Sequence, residues 1–65
     1  MDPNACWSEL EEAVNTANWG VAIERAEALI EWLAKEGYPP TIGGHPVFDR
    51  IVARATCELI SAWVM

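Results

Sequence analysis

Basic residues are scarce in this chain. Four Lys and Arg stand against ten Asp and Glu, which leaves a net charge of −6 over 65 residues. Holding nucleic acid directly requires clustered Lys and Arg to displace phosphate counterions, so this composition argues against it. Long apolar runs are missing too. Nothing approaches the roughly eighteen consecutive apolar residues of a membrane helix. Met1-Asp2-Pro3 is acidic with no apolar run behind it, unlike a signal peptide, and neither end carries a lipidation motif. These absences predict a cytoplasmic protein with no direct nucleic-acid or membrane partner. Only two cysteines are present, Cys6 and Cys57, and in that compartment they read as reduced, buried thiols rather than a disulfide framework.

Strand signals and internal repeats are lacking as well. No segment alternates with period two, and Ile51-Val52 is embedded in helical spacing. A chain this short forms one domain, here residues 1–65, and has little area with which to build a core. Ten of its hydrophobic residues are Ala, while four are Trp. Trp supplies much area per residue, so some of it belongs in the core. Four buried in one small monomer would be generous.

Periodicity predicts an all-α fold, a small three-helix bundle. Helix 1 is expected over about residues 3–16. Asp2-Pro3 reads as a cap followed by Pro at the first helical position, and Ser8-Glu9-Leu10-Glu11 offers an alternative capping box. Cys6, Trp7, Leu10, Ala13, Val14 and Ala17 share a face, with Glu9 and Glu12 opposite. Asn15-Thr16-Ala17-Asn18 ends the helix and lets Asn18 cap the next one. Helix 2 is expected over 19–36, with Ala22, Ile23, Ala26, Leu29, Ile30 and Leu33 in a stripe about 120° wide. Gly37 supplies its left-handed stop, ahead of Pro39 and Pro40. Residues 37–46 form a loop, either a plain linker or a cover over the bundle with Tyr38 and Ile42 as apolar anchors. Helix 3 follows over 47–64.

Helix 3 is apolar around most of its circumference. Phe48, Ile51, Val52, Ala55, Leu59, Ala62 and Trp63 share one face, and Ala53, Cys57, Ile60 and Val64 form a second strip. Such a helix is covered on more than one side. Either it is central, with helices 1 and 2 on its two strips, or the strip Ala53, Cys57, Ile60 and Val64 meets a second subunit. If helix 1 frayed, the chain would be a dimer of helical hairpins.

Catalytic chemistry finds no foothold. His45 is the only histidine and lacks placed companions for acid–base work. With Cys6 and Cys57 it has none of the short spacings of a zinc site. Gly43-Gly44 is followed by no Lys-Ser/Thr and is not a phosphate loop. No enzyme, metal or cofactor is expected.

Two surfaces remain as candidates. Residues 1–36 hold eight acids against Arg25 and Lys35, so the whole net charge lies there, while residues 37–65 are neutral. Glu9, Glu12, Glu24, Glu27 and Glu31 would present an acidic face to a basic partner surface, or would simply keep the protein soluble. Val21, Arg25, Ala28 and Trp32 flank the helix 2 stripe and would form an apolar partner site, Trp and Arg being common in interface hot spots. Arg50 and Arg54 would pair with the Glu24, Glu27 and Glu31 face of a neighbour. The expected function is a non-catalytic protein–protein interaction module that forms a homodimer. The alternative is an acidic mimic of nucleic acid, of the phage or mobile-element type, that blocks a basic groove.

Overall fold

The structure, a computed structural model, describes residues 1–63. Three helices follow one another: α1 (Pro3–Asn15), α2 (Trp19–Ala34) and α3 (Pro46–Trp63). The chain is a small all-α three-helix bundle, with no strand among the described residues.

The helix ends follow local chemistry. Asp2 caps α1, its Oδ1 accepting from the N–H of Asn4 at 2.9 Å and of Ala5 at 3.4 Å, and Pro3 takes the first helical position. Ser8 lies inside the helix and caps nothing. At the far end Thr16 is the C-cap and Ala17 is left-handed, φ 56°. Asn18 N–H then donates to Ala13 O at 2.7 Å and Ala17 N–H to Val14 O at 3.1 Å, the bond pair of a Schellman stop. Asn18 at once caps α2, its side chain accepting from Val21 N–H at 3.5 Å, so the two helices are joined by a tight reversal.

α2 ends with the same motif. Gly37 N–H donates to Trp32 O at 3.0 Å and Glu36 N–H to Leu33 O at 3.0 Å. The left-handed residue is Glu36, φ 62°, and not Gly37 as the sequence suggests. Gly37 stands where it does for space: a Cβ there would fall inside the indole ring of Trp32.

α2 is the middle helix. Both α1 and α3 pack on it, and the backbones of α1 and α3 do not meet. The expectation of a central third helix is therefore corrected. The core draws on all three helices and is made largely of small residues: Cys6, Leu10, Ala13, Ala22, Ala26, Leu29, Leu33, Ala53 and Cys57. Small residues let helix backbones approach closely, but they bury little area each. Larger side chains stay outside or half outside. Trp7, Trp19 and Trp32 are half-buried and Trp63 is exposed, so no Trp is fully enclosed.

Candidate interaction surface

The loop between α2 and α3 is held by two adjacent side chains from the start of α3. Asp49 is the one charged side chain buried among the described residues. Its Oδ1 accepts from Gly43 N–H at 2.8 Å, and its Oδ2 accepts from Ile42 N–H at 3.2 Å and Gly44 N–H at 3.3 Å. The N–H of Gly43 above all, with those of Ile42 and Gly44, holds the carboxyl below its ordinary pKa against the opposing effect of burial. Arg50 faces the other way. Its guanidinium donates to Leu33 O at 3.1 Å and Gly37 O at 2.7 Å, closing carbonyls at the C-terminal end of α2. Thr41 N–H donates to Asn4 Oδ1 at 2.7 Å, which ties the loop to α1. The segment is thus a fastened strap. Its buried residue is Pro40; Tyr38 and Ile42, the expected anchors, are exposed.

Much of the polar and aromatic capacity of the expected apolar site on α2 is engaged within the chain. Trp32 donates its Nε1–H to Tyr38 O at 2.8 Å, and the two rings meet edge to face. The strap therefore occupies Trp32. Arg25 turns toward α1, where Nε binds Glu9 at 2.5 Å, while Nη1 binds Glu24 at 2.6 Å. Val21 and Ala28 pack against the core. Val21, Arg25, Ala28 and Trp32 are each half-buried, and Ala28 and Trp32 line a shallow groove with Met1, Glu31 and Lys35.

The acidic residues Glu9, Glu12, Glu24, Glu27 and Glu31 are all exposed. Three have cations of their own: Glu9 and Glu24 share Arg25, and Glu31 pairs with Lys35 at 2.9 Å. Glu12 and Glu27 are in no ion pair among the described residues. Arg50 and Arg54 do not await a neighbour's acids either. Arg50 serves α2, and Arg54 pairs with Glu58 on its own helix at 2.9 Å.

α3 shows the largest departure from expectation. Ala53 and Cys57, placed by the sequence on a dimer strip, are 0% exposed within one chain and have no surface left to offer. Ile60 is half-buried against the same core and lines a groove with Trp7, Leu10 and Val14 of α1. Val64 lies outside the described residues. The other face is the open one. Val47 is 76% exposed, Phe48 60%, Ile51 60%, Leu59 68% and Trp63 72%. Ala55 and Ala62 complete this stripe and are exposed too. The helical wheel shows both strips but not which one meets α2. The tight α2 surface of Ala22 and Ala26 selects the small pair Ala53 and Cys57, which the large side chains could not replace without overpacking.

The remaining candidates offer no reactive group. Burial pushes the Cys57 thiol up to about 12, with Cys6 and Glu58 adding to the effect. Cys6 is raised by burial as well, and its Sγ donates to Arg25 O at 3.6 Å. Both thiols are free and buried, unlike the exposed, electropositive setting of a reactive cysteine. The His45 carbonyl accepts from Asp49 N–H at 2.7 Å in the first turn of α3, and the residue is exposed. Among the described residues no three His, Cys, Asp or Glu gather around a metal-sized site, and no helix is long and apolar enough to cross a membrane. No family model, curated protein or solved structure matches this chain.

Proposed function

We propose that the chain is a small, non-catalytic helical interaction module, and that it meets its protein partner through the outer face of α3. One observation carries this reading: Val47, Phe48, Ile51, Leu59 and Trp63 are each at least 60% exposed on one helix. Scattered apolar residues on a surface are ordinary, but contiguous patches of this kind mark contact sites. Trp63 meets Trp19 of α2 edge to face at 5.8 Å, while Val47, Phe48, Ile51 and Leu59 stay outside a core made largely of small residues. Two buried free thiols accord with a cytosolic setting.

The acidic mimic of nucleic acid is the weaker reading. A mimic offers its carboxylates to a partner's cations, and here Glu9, Glu24 and Glu31 are engaged by Arg25 and Lys35.

A photo-activated cross-linking residue at position 59, compared with one at position 12, separates the two inside the cell that makes the protein. Discrete adducts from position 59 and none from position 12 are the expected result. Adducts from position 12 alone would transfer the proposal to the acidic face. Silence at both would overturn the interaction reading.

A further inference from the structure

α1 and α3 each pack on α2, yet their backbones do not meet. A groove of about 180 Å³ is left between them. Buried Leu10 lies at its floor. Trp7 and Val14 of α1 and Ile60 of α3 line it, all half-buried, and Glu11 of α1 stands exposed at its rim. We infer that this groove takes a helix of another protein, one whose apolar stripe is flanked by Lys or Arg. The inference goes beyond the reading of the outer face of α3 and stands on other residues.

Geometry selects a helix as the occupant. α1 and α3 run in the same direction. The strap joins their starts, through Asn4 on one and Asp49 on the other. Beyond the end of α1, Trp19 meets Trp63 at the end of α3. Two helices set side by side but apart form a track that a further helix can fill, its ridges entering the groove between theirs. Such a helix anchors through apolar residues at i, i+3 or i+4, and i+7.

Charge gives the sign of the partner. α1 carries Asp2, Glu9, Glu11 and Glu12 and no Lys or Arg. Asp2 is spent as the helix cap, and Glu9 is held by Arg25. Glu11 is in no ion pair among the described residues. The α3 wall, Thr56 and Ile60, is uncharged. An entering helix therefore meets an acid and no base. A Lys or Arg on its flank pairs with Glu11 without displacing an internal cation, whereas an acid there is repelled. An exposed pair of this kind adds little affinity and serves to reject the wrong partner.

Size excludes the other common occupant. Small-molecule sites enclose ~300–1,000 Å³, and this groove is smaller and open along its length. It has room for side chains delivered from a docked surface. Trp7 is the aromatic contact for them, the residue type on which interface affinity most often rests.

A display library of helix-forming peptides, selected against the full chain, tests the inference. Enriched peptides are expected to carry an apolar stripe with Lys or Arg beside it. The tightest of them, titrated into the protein, should move the amide resonances of Trp7, Glu11, Val14, Thr56 and Ile60. Glu11→Lys should weaken that peptide about 10-fold, and Glu27→Lys, the same change of charge at an exposed site on α2, less than about 3-fold. Thr56→Phe, which fills the groove, should weaken it at least about 10-fold with helicity by circular dichroism unchanged. No enrichment, or enriched peptides without a basic flank, overturns the inference. So do equal losses from Glu11→Lys and Glu27→Lys. Resonance shifts confined to the outer face of α3 would support the contact surface there while the groove falls. Shifts along the groove, with silence from a cross-linking residue at position 59, would leave the groove standing while the outer face falls.

Discussion

Asp49 Oδ1 accepts a hydrogen bond from the N–H of Gly43 at 2.8 Å, the shortest of three that fasten the strap to α3. An amide in place of this carboxylate would turn an NH₂ toward at least one of those donors. Asp49→Asn is therefore expected to lower Tm at pH 7 by about 5–10 °C, where ~4–8 °C corresponds to each 1 kcal/mol in a domain of this size. The folded pKa is lowered, so the stabilisation is fully present above the ordinary carboxylate value of ~4 and is lost as pH falls through the lower folded value. Thermal melts of the two proteins should converge steadily below pH 4. A gap that stays constant down to pH 2 would contradict this role.

The two helix stops use the wrong residues for their conformation. Ala17 and Glu36 hold φ of 56° and 62°, a region that costs an L-residue roughly 1–2 kcal/mol. Ala17→Gly and Glu36→Gly should each stabilise by about 0.5–1 kcal/mol, after glycine's greater loss of chain entropy is subtracted. Gly37→Ala should do the opposite, since its methyl group would meet the Trp32 indole. Urea titrations give all three values. A destabilised Glu36→Gly would show that its side chain carries more than the backbone argument allows.

Leu29 and Leu59 share a side chain and differ in setting, 0% against 68% exposed. Leu29→Ala should cost about 2–5 kcal/mol. Leu59→Ala should stay within about 0.5 kcal/mol of wild type at concentrations where the chain is monomeric. Chemical denaturation of both variants at low micromolar concentration distinguishes them. Equal losses would mean that the outer face of α3 is already covered within one chain.

Cys57 and Cys6 should be silent toward thiol reagents in the folded protein. Burial holds Cys57 up at about 12, far from the pH at which a free thiol ionises. Alkylation at pH 8 should follow the unfolding curve in denaturant. Rapid labelling of either thiol without denaturant would show that the core opens locally.

Much of the architecture is legible in the residues themselves. Asp2-Pro3, Asn18 and the stripe Ala22, Ala26, Leu29 and Leu33 encode their own caps and core through local spacing. What periodicity leaves open is choice between partners. α3 carries two apolar strips, and only the packing surface on α2 decides that Ala53 and Cys57 go inward while Phe48 and Leu59 stay out. The same limit hides Asp49 and Arg50. They look like ordinary charges on the first turns of a helix, and their value comes from a strap that curls back over them. A weak signal existed in Gly43-Gly44 placed just ahead of an acid, where backbone N–H groups are free to converge on a carboxylate. Trp32 misleads for a similar reason. Its flank position reads as exposed, yet Tyr38 of the strap, six residues onward, supplies a carbonyl and an aromatic edge.

The central claim is that the outer face of α3 is a protein contact surface. A photo-activated cross-linking residue at position 59 should give discrete protein adducts, and one at position 12 of the acidic face none. Silence at both positions, or adducts from position 12 alone, would contradict the account.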